Sequence, residues 1–97
     1  MCGILCAPCG RAAPPPKWPA PPAWWLRGDF ATCVRLRESH DGHDPRAHGN
    51  IYGMQSGWAA AGGRGFAGNA SRAEQDYRAY RLWKLYGVSP WRPYDGC

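Results

Sequence analysis

The chain has 97 residues, and 12 lysines and arginines outnumber seven aspartates and glutamates to give a net charge of +5. Such a length allows one small domain, and no segment is apolar for long enough to cross a membrane. A domain of this size buries only about 60% of the surface that its unfolded chain exposes, so six Trp, five Tyr and any disulfide carry much of its stability.

Residues 1–23 differ in composition from the rest of the chain. Proline and alanine dominate this stretch up to Pro22, which is typical of an extended spacer that cannot form a core. We therefore predict a tail or linker over 1–23 and a folded domain over 24–97. The tail lacks the continuous apolar run of a signal peptide. It carries Cys2, Cys6 and Cys9, whose spacing would suit a metal only with a fourth ligand from elsewhere, so a plain cysteine-bearing tail is the favoured interpretation.

The first predicted helix carries Glu38, one of only two glutamates in the chain. Asp29 can cap its start, and Phe30, Val34 and Glu38 recur every four residues along one face. A carboxyl held against apolar neighbours has a raised pKa, so Glu38 is a candidate general acid. The alternative is an ordinary glutamate at a helix end, solvated or paired with a neighbouring arginine.

The segments that follow the first helix are rich in turn residues. Between 49 and 65 the chain is glycine-rich, and Asn50, Tyr52 and Gln55 offer amide and hydroxyl groups of the kind that bind sugar hydroxyls. A plain turn-rich loop is the competing interpretation. Three histidines lie in or near the loop after Glu38, at His40, His43 and His48. Their irregular spacing favours exposed loop residues over a metal site, so we expect no metal and no cofactor.

A second helix is predicted from about Arg72 to Tyr86. Ser71 and Glu74 have the spacing of a capping box, and Gly87 is the expected stop. This gives Glu74 a structural role, and Gln75 beside it can reach inward. The predicted buried stripe comprises Ala73, Tyr77, Tyr80, Leu82 and Trp83, with Arg72, Asp76, Arg78 and Arg81 mostly outside.

Cys33 and Cys97 lie in the first helix and at the last position of the chain. A bond between them would tie the C-terminus to the segment that carries Glu38, and closing a loop of about 65 residues is worth roughly 4 kcal/mol in the chain-entropy model. Such a bond implies an oxidising compartment. The residues alone leave open that both are free thiols.

The order of these motifs resembles the transglycosylase-like domains of actinobacteria and their phages, the group of resuscitation-promoting factors within the lysozyme superfamily. The resemblance covers about 24–97. The matching positions in chain order are Cys33, Glu38-Ser39, Asn50, Tyr52-Gly53, Gln55, Trp58, Gly62-Gly63, Ala70-Ser71, Glu74-Gln75, Leu82-Trp83, Ser89-Pro90-Trp91 and Cys97.

This resemblance implies a mainly α, small lysozyme-like fold with a substrate groove and at most a minor β component. It places the catalytic acid at Glu38 and the sugar-contacting glutamine at Gln55, with Tyr52 and Trp58 lining the groove. It also implies a disulfide between Cys33 and Cys97. The segment from Gln55 to Trp58 is shorter than in relatives by about three residues, so we expect an altered groove wall.

The implied activity is cleavage of peptidoglycan between N-acetylmuramic acid and N-acetylglucosamine. Hydrolysis with two carboxylates needs a second acid, for which only Asp41 and Asp44 lie nearby in the sequence. Because neither is a clear second acid, we expect a lytic transglycosylase in which Glu38 acts alone. A noncatalytic cell-wall binding module is the alternative.

The expected partner is therefore the glycan strand of peptidoglycan, bound by a monomer. The protein is expected to be extracellular, associated with the cell wall, or carried by a phage. Nucleic acid also attracts a basic chain, but here arginines alternate with acids on the second helix and form no dense patch. We therefore expect no nucleic-acid partner and no membrane span.

Overall fold

The protein is mainly helical, as predicted, in the computed structural model, which describes residues 17–97. Within that range it has no β-strand. The α-helices are α1 Ala23–Leu26, α2 Asp29–Ser39, α3 Gln55–Trp58, α4 Arg72–Tyr86 and α5 Arg92–Asp95, and 3-10 turns occupy Pro45–Ala47 and Ala67–Asn69. No helix of residues 17–97 combines the length and apolar character that crossing a membrane requires.

Helix α2 begins differently from the prediction. Asp29 is not its cap, because Gly28 occupies the N-cap position with an extended backbone and no side chain caps the helix. A Cβ at position 28 would collide with the carbonyl oxygen of Trp24, which is why glycine is needed there. Asp29 lies instead in the first turn, where its negative charge is attracted to the positive end of the helix dipole. The helix ends at Ser39, and His40 follows in the left-handed conformation.

Helix α4 has the predicted bounds. Its N-cap hydroxyl, on Ser71, accepts a hydrogen bond of 3.1 Å from the main-chain N–H of Glu74, and Gly87 ends the helix with a φ of 65°. The carboxylate of Glu74 binds Arg78 at 2.7 Å one turn later and makes no bond back to Ser71, so only the Ser71 half of the predicted capping box is found. The buried face is centred on Gln75, Ala79 and Leu82.

Two predictions about the faces of α4 are wrong. Ala73 is exposed, although it was assigned to the buried stripe. Arg78 was placed outside, but only 12% of its side chain is accessible, because its guanidinium binds Glu74 and donates to the main-chain oxygen of Ala61 at 2.8 Å. An arginine can lie flat against the protein when its charged head finds acceptors there, which hydropathy patterns do not register.

The core is built largely from aromatic rings. Trp25 stacks on Tyr52 with ring centroids 6.3 Å apart and meets the edge of Tyr80 at 5.2 Å. Phe30 meets Trp91 edge-on at 5.4 Å. Buried aromatic pairs contribute about 0.5–1.5 kcal/mol each beyond the area that they bury, so this cluster compensates for the small size of the domain.

A disulfide joins Cys33 in α2 to Cys97 at the end of the chain, with 6.0 Å between the two Cα atoms. The predicted bond is thus confirmed. It closes a loop of 64 residues, for which the chain-entropy model gives roughly 4 kcal/mol. Nearby, the guanidinium of Arg37 donates to the main-chain oxygen of Asp95 at 3.0 Å. Together these bonds hold α5 against α2.

The boundary drawn at residue 23 stays a prediction. In the described part of that region, Trp18 lies 5.6 Å from the ring of Tyr77 and under the guanidinium of Arg78 at 4.6 Å. Contacts with α4 therefore begin before residue 24. Cys2, Cys6 and Cys9 lie outside the described residues.

Candidate active site

Glu38 occupies the last turn of α2, where it is partly buried. The backbone of Gly53 lies directly against its carboxyl group, and Gly53 has a φ of 58°. A Cβ at position 53 would overlap the carboxyl of Glu38. Glycine is thus required here for two reasons, the close approach and the left-handed backbone.

The carboxyl of Glu38 opens onto a cleft of about 310 Å³. Its walls are Glu38, Gly53, Ser56, Pro90 and Tyr94. A second cavity of about 440 Å³ shares three of these residues. The two cavities are therefore adjacent, and together we call them the Glu38 groove.

The far part of the Glu38 groove is aromatic and proline-rich. Its lining includes Tyr86, Pro90, Pro93 and Tyr94. The side chains of Tyr94 and Tyr86 are 84% and 56% exposed. Exposed rings beside an open depression are suited to stacking against the apolar faces of sugar rings.

A second carboxyl, on Asp95, is the immediate neighbour of Glu38. Asp95 is the last residue of α5 and is buried, with 7% of its surface exposed. Its carboxyl lies close enough to that of Glu38 to raise the pKa of Glu38. The oxygen Oδ2 of Asp95 has no donor among the described residues. The two carboxyls are thus neighbours, although Asp95 is not among the residues that line the cleft.

This environment raises the pKa of Glu38 from 4.5 to about 8. Burial is the largest cause, followed by the hydrogen bond with Asp95 and the charge of Asp95. The protonated form of Glu38 is consequently favoured. A protonated carboxyl beside an open cleft can donate a proton to a bound ligand and afterwards accept one.

No family model, curated protein or solved structure matches this chain. The chemistry of the site is therefore inferred from its own groups. Within residues 17–97, no three His, Cys, Asp or Glu side chains lie close enough to hold a metal ion. His40, His43 and His48 are all exposed.

The expectation that only Asp41 or Asp44 lies near Glu38 is wrong. Asp41 binds Arg35 at 3.1 Å and Arg72 at 2.7 Å. Burial raises the pKa of Asp41, but the hydrogen bonds and charges of these arginines outweigh it and lower the pKa. Asp44 caps a 3-10 turn and binds Arg46, which lowers its pKa as well.

Two aromatic residues that were expected to line the groove lie in the core. Tyr52 is 1% exposed, and its hydroxyl accepts from Arg35 at 3.1 Å and donates to Asp76 at 2.6 Å. Trp58 is also 1% exposed, with its indole N–H on the main-chain oxygen of Arg64 at 3.0 Å. Neither ring is part of the cleft wall. Their polar groups hold other segments in place.

The amides of Asn50 and Gln55 also bind the protein itself. Asn50 accepts from the main-chain N–H of Met54 at 3.3 Å. Gln55 donates to the oxygen of Gly65 at 3.1 Å and accepts from the N–H of Ala67 at 2.7 Å. In this structure both amides therefore shape the glycine-rich loop, and neither contributes to the cleft wall.

Sequence reasoning missed Ser56, Pro90, Tyr94 and Asp95 as site residues. Asp95 lies 57 positions after Glu38 in the chain, so no local pattern connects them. The pairing of Cys33 with Cys97 was the available signal, because it brings the segment just before Cys97 next to α2.

Proposed function

We propose that this chain cleaves the bond between N-acetylmuramic acid and N-acetylglucosamine in peptidoglycan, with Glu38 as its single acid and base. The observation that carries the proposal is the partly buried carboxyl of Glu38, which lines an open cleft and whose pKa is raised by burial. The order of motifs in the chain resembles that of the transglycosylase-like domains, and this resemblance suggests the class of substrate. A Cys33–Cys97 disulfide suits an oxidising setting outside the cell or on a phage particle.

The position of Asp95 supports a one-acid route. The two carboxyls of a retaining glycosidase are about 5–5.5 Å apart, and those of an inverting enzyme about 6.5–9.5 Å apart, with the scissile bond between them. Asp95 instead is buried and is not part of the cleft wall. A sugar bound in the cleft would not have Asp95 on its opposite side, so Asp95 is not the second acid across the bond.

In the proposed reaction Glu38 first donates its proton to the glycosidic oxygen as the C1–O bond breaks. The leaving sugar departs with a hydroxyl, and positive charge develops at C1 of the muramic residue. Glu38, now ionised, removes the proton of the muramic 6-hydroxyl while that oxygen bonds to C1. The product is a 1,6-anhydro sugar, no water is consumed, and Glu38 ends protonated as it began.

A noncatalytic wall-binding module is the second candidate. The observation that favours it is the engagement of Asn50 and Gln55 in the loop itself, which leaves the cleft with few polar side chains. Tyr86 and Tyr94 would then bind glycan by stacking alone. Such a module binds peptidoglycan and leaves its muropeptides unchanged.

The deciding experiment incubates the oxidised protein with purified peptidoglycan and identifies released muropeptides by mass spectrometry. Glu38→Gln removes the proton donor while keeping the size of the side chain. Glu74→Gln is the matched control, because it alters the only other glutamate, whose partner is Arg78 in α4. Anhydro products from the wild type and the control, but not from Glu38→Gln, support the proposal. Binding without any release supports the module.

A further inference from the structure

Helix α4 has a second patterned face, which points away from the residues that this helix buries. Its buried face is centred on Gln75, Ala79 and Leu82. The other side carries residues at the spacings i, i+3, i+4, i+7 and i+8, which bring side chains onto one face of a helix. A depression of about 330 Å³ lies along them, and its lining residues are Tyr77, Tyr80, Arg81, Lys84 and Leu85. We call this surface the outer face of α4.

The outer face of α4 carries positive charge that no carboxylate within residues 17–97 neutralises by an ion pair. Arg81 and Lys84 are both exposed, and neither is in a salt bridge with a described residue. The two acids of this helix have other partners. Glu74 binds Arg78 at 2.7 Å, and Asp76 accepts a hydrogen bond of 2.6 Å from a core tyrosine. Two neighbouring cations without acids between them favour an anionic partner.

The two tyrosine rings of the outer face already have close neighbours. Trp83 stacks on Tyr80 with ring centroids 5.9 Å apart, and the ammonium of Lys84 lies 5.4 Å from the centre of the Tyr80 ring. Trp18 packs against Tyr77 at 5.6 Å. Single-stranded nucleic acids bind chiefly by stacking bases on open aromatic rings. The outer face of α4 therefore suits a polyanion that binds through its charge and its hydroxyl groups better than one that binds through bases.

An apolar occupant fits this face poorly. Leu85 is the one aliphatic residue in the described lining, and it is 53% exposed. Helices that lie in a membrane surface bury a broad apolar side, which this face lacks. A second copy of the chain, docked through the same face, would bring Arg81 and Lys84 against their own counterparts, and like charges repel.

The outer face of α4 and the Glu38 groove are separate surfaces. From α4, the groove is lined by Leu82 and Tyr86, and neither belongs to the described lining of the outer face. The residues from 77 to 85 span about 12 Å of helix at 1.5 Å per residue, which is the length of a short stretch of a linear polymer. Both surfaces can therefore be occupied at the same time.

We propose that the outer face of α4 binds a phosphate-bearing polymer of the cell wall, a strand of hydroxyl-rich units joined by phosphodiesters. The choice of the cell wall as the source of this polymer rests on the proposed function. The guanidinium of Arg81 binds phosphate through two parallel hydrogen bonds, and the ammonium of Lys84 attracts it as a point charge. The hydroxyls of Tyr77 and Tyr80 hydrogen-bond to those of the strand. This contact holds the protein at the wall while the Glu38 groove binds glycan.

The test measures the binding of fluorescently labelled poly(glycerol phosphate) to the full, oxidised chain by fluorescence anisotropy. The double variant Arg81→Gln, Lys84→Gln should bind more than about tenfold more weakly, because both phosphate contacts are lost. The matched control is Arg27→Gln, Arg64→Gln, which removes the same charge from exposed residues outside the outer face. Its affinity should stay within about twofold of the wild type, since salt screens distant charges.

Equal losses in the two double variants would show only a general attraction to a basic chain and overturn the inference. Tighter binding of the wild type to single-stranded DNA of the same charge, or to vesicles of anionic lipid, also overturns it, and this comparison needs no variant. Muropeptide release is measured on the same preparations. Polymer binding at the outer face without any release supports the inference while the proposed cleavage fails. Release without polymer binding supports the cleavage and overturns the inference.

Discussion

The indole N–H of Trp91 donates to the main-chain oxygen of Tyr52 at 2.9 Å, and both residues are buried. This bond joins two distant segments that meet at Glu38. Gly53 follows Tyr52 and touches Glu38, while Asp95 lies one turn after Trp91 in α5. The bond thus ties together two segments that lie beside Glu38.

Replacing Trp91 with Phe should lower the free energy of unfolding by about 1–3 kcal/mol, because it leaves the buried oxygen of Tyr52 without a donor. Urea unfolding followed by circular dichroism measures the loss. Trp24→Phe is the control, since Trp24 is 65% exposed, and it should change stability by less than about 0.5 kcal/mol. Equal effects of the two substitutions would contradict the importance of this bond.

Replacing Gly53 with Ala should reduce activity on peptidoglycan by more than about tenfold, because the new methyl group would displace the carboxyl of Glu38. The control is Gly65→Ala. Gly65 has a similar φ of 68°, but nothing lies within 4 Å of the added Cβ. Both variants carry the same backbone strain of about 1 kcal/mol, so only the first should lose turnover. Equal rates in the two variants would show that the position of Glu38 is unimportant.

The disulfide should matter for activity as well as for stability, since it fixes the chain next to Asp95. A protein with Cys2, Cys6 and Cys9 changed to serine leaves Cys33–Cys97 as the only target of a reductant. Reduction of this variant should cost roughly 4 kcal/mol of stability and suppress cleavage of peptidoglycan. Thermal unfolding and muropeptide release, each with and without reductant, measure the two effects. Full activity after complete reduction would contradict this link.

The stability of the folded chain should depend on pH through Glu38. Its pKa is about 8 in the folded protein and near 4.5 when exposed, so between these values the folded state binds more protons than the unfolded state. Stability from Glu38 is therefore fully present below about pH 4.5 and is lost as pH rises to about 8.

In Glu38→Gln this loss should disappear. In the wild type we expect Glu38 to lower the free energy of unfolding by on the order of 2 kcal/mol between pH 5 and pH 8, after allowance for its partial exposure. Chemical unfolding at several pH values, with Glu74→Gln as control, provides the comparison. A wild type and a Glu38→Gln variant with parallel pH profiles would rule out the raised pKa.

Sequence reasoning recovered the features that depend on local patterns. The bounds of α4 follow from Ser71 and Gly87, whose effects act within one turn of the helix. The position of Glu38 near the end of α2 was inferred from its four-residue spacing with Phe30 and Val34. The inward position of Gln75 was also foreseen, and its amide holds the glycine-rich loop by accepting from Ile51 and donating to Gly49 and Ala70.

The features that it missed depend on contacts between distant segments. Asp95 reaches Glu38 only because the C-terminus folds back on α2, which no local pattern specifies. Tyr52 and Trp58 carry both an apolar ring and a polar group, so their composition suits a groove wall and a core equally well. Their burial in the folded chain shows that both belong to the core, where their polar groups bind Arg35, Asp76 and the main chain of Arg64.

In the proposed reaction Glu38 alone cleaves the glycan, and no water is consumed. Digestion of purified peptidoglycan in H₂¹⁸O, followed by mass spectrometry of the products, distinguishes this route from hydrolysis. We predict 1,6-anhydro ends without ¹⁸O from the wild type and no products from Glu38→Gln. Reducing ends that carry ¹⁸O would show that water attacks the sugar and would contradict the single-acid lytic route.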